Sequence, residues 1–199
     1  METASTSNKL SPEKWVDSYS DYLYTYAFMR VNDEDEARDL VQDTFLSALK
    51  AQNSYKGEAN EKTWLVSILK RKVIDLYRKR DVRKSESFEE SEQYKVAYSH
   101  YFEDGGMRPG HWNGKNNPQE WGTSASDSLE KGEFSKILMA CLGKLPKAWS
   151  SVFTLKHVEE ETSEKICKEL DISPSNYWVI LHRAKLQMRE CLEKNWIKG

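Results

Sequence analysis

The chain has 199 residues, 31% charged and 38% hydrophobic, with a formal net charge of −2. This composition suits a water-facing globular protein with one large or two small cores, and it excludes collagen-like and low-complexity classes. No apolar run approaches the roughly 20 residues that span a bilayer, and the polar stretch Met1 to Leu10 lacks the apolar core of an export signal, so neither membrane insertion nor secretion is expected.

The charge is unevenly sorted. Acidic residues gather from Asp33 to Asp43 and through the middle of the chain, basic ones from Lys70 to Lys84 and from His182 to Lys198. Separate acidic and basic surfaces point to two kinds of partner. The three cysteines, Cys141, Cys167 and Cys191, are too few and too widely spaced for a disulfide framework or a metal knuckle. They are expected to be reduced thiols in a cytoplasmic protein, with no cofactor and no metal.

In chain order, Ser11 followed by Pro12 predicts a helix start, a capping hydroxyl and then proline in the first turn. Trp15, Tyr19, Tyr22, Leu23, Tyr26 and Ala27 continue it at helical spacing. Asn32 and Asp33 interrupt. A second helix carries the apolar stripe Ala37, Leu40, Val41, Thr44, Phe45, Ala48 and Leu49, opposite Glu34, Asp35, Asp39, Gln42 and Asp43. Asn53 to Asn60, with Gly57, reads as a loop. A third helix, about Glu61 to Arg80, has the stripe Trp64, Leu65, Ile68, Leu69, Val73 and Leu76, with Lys70, Arg71, Lys72, Arg78, Lys79 and Arg80 around the rest.

Residues 85–128 are polar and net acidic, with scattered glycine and proline and no sustained period, and are expected to be a linker. Helical pattern resumes with Phe134, Ile137, Leu138, Cys141 and Leu142. After a break at Gly143 to Pro146 come Trp149, Val152, Phe153 and Leu155. Thr162 to Leu170, the turn Asp171-Ile172-Ser173 and a helix from Pro174 to about Lys194 form a helix-turn-helix pattern. The expected fold is all-α: a helical domain at 11–84, the linker at 85–128 and a second helical domain at 129–196.

The last helix is the candidate DNA reader. Tyr177, Leu181, Ala184 and Met188 recur at helical spacing and are expected inward, which turns Ser175, Asn176, Trp178, Val179, His182, Arg183 and Lys185 outward or to the flanks. Ser175 and Asn176 suit base edges, while Arg183 and Lys185 suit phosphates. The acidic second helix would repel DNA, so Asp39, Gln42 and Asp43 are expected to meet a protein. Tyr55, Lys56 and Gly57 in the loop join Trp64, Lys70, Arg71, Arg78 and Lys79 on the third helix. Cations and rings around a loop fit capture of an unstacked base. A basic helix with a buried tryptophan explains the same residues without DNA.

Taken together, these segments resemble the sigma-70 superfamily of RNA polymerase sigma factors in its small extracytoplasmic-function form. Asp39-Leu40-Val41-Gln42-Asp43-Thr44-Phe45-Leu46 is similar to the family's D-L-V-Q-E-T-F-L helix. Trp64-Leu65, Ile68 and Asp75 fit its next segment. Leu145-Pro146, Val152-Phe153, Leu155, the helix-turn-helix residues Glu164, Ile166, Leu170, Ile172 and Ser173, and the ending His182-Arg183-Ala184-Lys185 fit its C-terminal part. The resemblance implies that Asp39, Gln42 and Asp43 lie on core RNA polymerase. It further implies that the 55–60 loop and the third helix open and hold the −10 element, that the helix from Pro174 reads the −35 element of promoter DNA, and that an anti-sigma factor masks both domains. Arg71 replaces the family's asparagine, Leu69 its alanine and Ser150 its arginine, and Asn176-Tyr177-Trp178 replaces Thr-Val-Lys, so base preference does not transfer.

Two rivals compete with this reading. An ordinary helix-turn-helix regulator accounts for the C-terminal half but leaves the Asp39 and Trp64 helices without a purpose. A metal-dependent hydrolase built on Asp33, Glu34, Asp39 and Asp43 lacks a matching histidine or second acidic cluster.

Overall fold

The computed structural model describes residues 10–80 and 128–197, which form seven α-helices, short 3-10 and π turns and no strand. The N-terminal module holds α1 (Trp15–Val31), α2 (Glu34–Ala51) and α3 (Glu61–Lys79). The C-terminal module holds α4 (Ser128–Gly143), α5 (Lys147–His157), α6 (Ser163–Leu170) and α7 (Pro174–Leu192). The expected linker falls almost wholly outside the described residues.

Helix ends follow local chemistry. Asn32 closes α1 in the left-handed conformation, φ 51°, and its N–H donates to the Phe28 carbonyl at 2.8 Å. Asp33 then caps α2, its carboxylate accepting from the N–H groups of Asp35 and Glu36 at 3.1 Å. Asn60 caps α3 through the Thr63 N–H at 2.8 Å, and Thr162 caps α6. Ser173 caps α7 by accepting from the Asn176 N–H at 3.2 Å, with Pro174 in the first turn. Ser11 departs from expectation: its hydroxyl makes no cap, and Pro12–Lys14 form a 3-10 turn. Its backbone N–H donates to Glu61 instead, and the Trp15 indole N–H and Tyr19 hydroxyl donate to the same carboxylate at 3.2 Å each. One acid in the first turn of α3 thereby anchors the start of α1.

Alanines at 27, 37 and 48 are fully buried and let the three N-terminal helices approach closely around Leu23, Leu65 and Leu69. Each fully buried leucine contributes on the order of 2 kcal/mol. Tyr77, absent from the expected stripe, extends it at the 69, 73, 77 spacing and is fully buried. Its hydroxyl donates to the Arg30 carbonyl at 2.7 Å, joining the ends of α1 and α3. Burial pushes the phenol far up, outweighing the opposing pull of Arg80 and Arg30.

The modules pack on each other. Val152, Leu155, Ile166, Leu170, Ile172, Tyr177, Ile180 and Leu181 belong to one apolar cluster with the N-terminal core. A second, smaller cluster of Cys141, Leu142, Leu145, Ala184, Met188 and Leu192 holds α4 against α7. Within it Cys141 and Cys191 are disulfide-bonded, which corrects the expectation of three reduced thiols; only Cys167 is a free thiol. Helix folding brings together two cysteines 50 residues apart, a proximity that spacing alone does not reveal.

Candidate functional site

Three surfaces carry the expected site residues. The first is the outer face of α2, where Asp39, Gln42 and Asp43 are all exposed. Asp43 lies 3.6 Å from Lys72 of α3 across a shallow groove. Leu49, expected in the core stripe, is instead 42% exposed, and Leu46 is 56% exposed. The last fully buried residue of α2 is Ala48. Two uncovered leucines beside carboxylates make this face suited to a protein surface rather than to nucleic acid.

The second surface is the 55–60 loop with α3. Gly57 adopts φ 74°, a conformation in which a side chain would be strained. Tyr55 and Trp64 meet at 5.0 Å between ring centres, and Trp64 meets Trp15 edge-on at 6.0 Å. The Tyr55 hydroxyl donates to the Ala59 carbonyl, closing the loop on itself. Lys56, Lys70, Arg71, Arg78 and Lys79 all face outward. Cations on α3, and Arg80 just after it, are nevertheless engaged by the C-terminal module. Lys70 lies 3.1 Å from Glu159, Arg78 Nε donates to the Glu169 carbonyl, and Arg80 bonds Ser151 at 3.1 Å while pairing with Glu36.

Glu159 is the hub of this contact. Arg30 pairs with it, and the Tyr26 hydroxyl donates to it at 3.4 Å. Burial alone would raise its carboxyl, but Arg30 and Lys70 outweigh that and hold it below the ordinary carboxylate value. Lys147 pairs with Glu36 at 2.8 Å and Asp33 at 3.5 Å. Asp33, Glu34, Asp39 and Asp43 thus have separate roles as cap, ion pair or exposed face, and among the described residues no three metal-type ligands converge.

The third surface lies on α7. Ser175, Trp178, His182 and Lys185 are exposed and form one stripe at three- and four-residue steps, flanked by half-buried Val179. Trp178 is 58% exposed and stands edge-on to the buried Tyr177 at 5.0 Å. Asn176 and Arg183, expected outward or on the flanks, lie on a flank and are each only 4% exposed. They lie seven residues apart, on the flank shared with Tyr177, Ile180 and Ala184, and Arg183 stacks toward the Trp149 ring at 5.8 Å. The inward anchors are as expected, but the apolar face is wider than they indicate, and it takes in these two polar residues.

The structure adds residues that the spacing did not single out. Lys156 and His157, at the end of α5, join the basic side of α7. Burial first, then Lys185 and Lys156, lower the His157 imidazole, and burial, Lys185 and Arg183 lower that of His182. Their place after a helical stripe carries no local signal of this partnership. Glu159 is equally unremarkable in sequence.

Residues 15–83 match the family model for Sigma-70 region 2, and residues 135–188 match that for Sigma-70, region 4. A Haemophilus influenzae protein named as a probable RNA polymerase sigma factor is 35% identical over 172 residues, 86% of this chain and 84% of that one. RNA polymerase sigma factor YlaC of Bacillus subtilis is 29% identical over 177 residues, 89% of each. The solved sigma factor RpoE of Bartonella quintana, in complex with the anti-sigma factor NepR, is 20% identical and covers 92% of this chain and 97% of its own, with a TM-score of 0.42. Both halves are matched in order and a relative aligns along most of its length: the chain belongs to the sigma-70 superfamily of RNA polymerase sigma factors, in the small extracytoplasmic-function type, and serves transcription initiation rather than catalysis.

Proposed function

We propose that this sigma factor binds core RNA polymerase through the outer face of α2 and directs it to promoters by reading a −35 element with α7 and a −10 element with the 55–60 loop and α3. The observation that carries the reading is the opposed character of two exposed faces. Asp39, Gln42 and Asp43 stand beside uncovered Leu46 and Leu49, whereas Ser175, Trp178, His182 and Lys185 line the second helix of a helix-turn-helix. The first suits a protein partner and the second the major groove.

On α7, Ser175 and Trp178 are positioned for base edges and thymine methyls, with Val179 beside them, and His182 and Lys185 for phosphates. Asn176 and Arg183 act from inside, Arg183 by holding the helix on Trp149 of α5. At the −10 element, Lys56, Lys70, Arg71, Arg78 and Lys79 supply cations, and Tyr55, Gly57 and Trp64 shape the aromatic loop that receives a displaced base. Lys70 and Arg78 reach DNA once the C-terminal module releases them. Polymerase holds the two readers at a set separation, so each weak contact raises the effective concentration of the other. The protein acts in the cytoplasm, and its release from an anti-sigma factor is the expected control. No described helix is long and apolar enough to cross a membrane.

Run-off transcription with core polymerase on genomic fragments, with start-site mapping, tests this reading. New starts that polymerase alone does not use are expected. Promoter binding that survives without polymerase, together with no new starts, would favour the helix-turn-helix regulator.

A further inference from the structure

We infer that Cys141 and Cys191 are a reversible thiol–disulfide pair, closed by peroxide, that staples α4 to the end of α7. Their Cα atoms lie 5.8 Å apart, within the range a disulfide bridges without backbone movement. The staple falls within the smaller of the two apolar clusters, the one that holds α4. It also bears on module contact. The Asn32 side-chain amide donates to the Met139 carbonyl of α4 at 2.8 Å, and a Cβ on Gly143 would come within 2.8 Å of the same amide. Fixing α4 on α7 therefore steadies the helix that the N-terminal module touches.

The pair is conditional rather than permanent because of where a sigma factor works. Polymerase and its DNA occupy a compartment that keeps thiols reduced, and disulfides found there are mostly transient and redox-sensing. The two sulfurs are also unequal. Cys141 is buried, whereas Cys191 is partly exposed and has the Asn195 amide donating to its sulfur at 3.5 Å. A donor there favours the thiolate, the reactive form. Cys167 sits apart, and burial, with Glu164 adding to it, pushes its thiol up.

The chemistry balances with peroxide as the two-electron oxidant. The Cys191 thiolate attacks one peroxide oxygen; the S–O bond forms, the O–O bond breaks, and the departing hydroxide takes a proton to become water. The Cys141 sulfur then attacks the Cys191 sulfur; the S–S bond forms, the S–O bond breaks, and a second water leaves with the Cys141 proton. A dithiol reductant returns the two electrons and reopens the bond.

The test uses the full-length chain, fully reduced and then exposed to micromolar hydrogen peroxide. Thiol titration in denaturant should count three thiols before and one after, with peptide mass mapping placing the bond between Cys141 and Cys191 and leaving Cys167 free. The oxidised chain should melt about 10 °C higher than the reduced one, and a dithiol reductant should restore the lower midpoint. In Cys141→Ser, a sulfenic-acid probe should label Cys191; Cys167→Ser should behave as the unaltered chain. A bond that fails to form in the unaltered chain, forms through Cys167, resists the reductant or leaves the melt unchanged overturns the inference. The reading rests on the sigma-factor role only for its compartment. None of these measurements involves polymerase or promoter DNA, so its failure and that of the promoter reading are distinct.

Discussion

Lys70 Nζ lies 3.1 Å from Glu159 Oε2, so a cation on the helix assigned to the −10 element is engaged by a carboxylate of the opposite module. Arg30 and Tyr26 converge on the same carboxylate. Contact between modules and access to Lys70 are therefore coupled through one side chain.

Glu159→Gln removes the charge while keeping the shape. It is expected to weaken module packing by about 1–3 kcal/mol, because the partly buried Arg30 loses its counter-ion. The folded carboxyl lies below its unfolded value of about 4.3, so its contribution is complete above that pH and is lost as pH falls through the folded value. Small-angle scattering should report a larger radius for the variant at neutral pH. Acid titration should show a smaller acid-induced expansion than in the unaltered chain.

Leu46→Ala with Leu49→Ala should leave the melting point nearly unchanged, since both side chains are exposed. Retention of the chain on core polymerase should nonetheless drop about tenfold or more. Alanines at Asp39, Gln42 and Asp43 should reduce retention and its salt dependence together. Equal retention by both variants in a pull-down would remove the α2 face from the polymerase contact.

Lys185→Ala and Arg183→Ala should separate along the stripe. Lys185 is exposed, so its loss should lower DNA affinity and reduce the slope of log affinity against log salt by about one. Arg183 is buried toward Trp149, so its loss should lower stability by about 1–3 kcal/mol and affect DNA binding only through the fold. Urea melts and filter binding at several salt concentrations distinguish the two.

Tyr77→Phe deletes one hydroxyl and leaves the Arg30 carbonyl without that donor. A loss of about 1 kcal/mol in urea unfolding is expected, with polymerase retention unchanged.

Much of this chain was readable from local pattern. Apolar period located α2, α3, α6 and α7, and the structure shows their starts fixed by Asp33, Asn60, Thr162 and Ser173, which satisfy N–H groups two or three residues away. The Tyr177, Leu181, Ala184 and Met188 anchors followed from spacing for the same reason. Ser11 misled because a serine before proline marks a helix start equally well when its own N–H, rather than its hydroxyl, finds a partner in Glu61.

Other outcomes needed tertiary structure. Whether Asn176 and Arg183 face in or out depends on how wide a flank of α7 its neighbours cover, and α7's own period does not encode that width. Leu49 reads as core by its spacing, yet no neighbouring element covers it and it is 42% exposed. The Glu159 hub and the Cys141–Cys191 bond join residues from 50 to more than 120 positions apart, and no local rule carries such pairings. The sequence by itself determined the helices, their caps and the helix-turn-helix, since those forces act within a turn or two of the chain. Only the packed structure decided which polar groups stay in water and which cations meet a carboxylate, because burial depends on what the remote parts of the chain bring alongside.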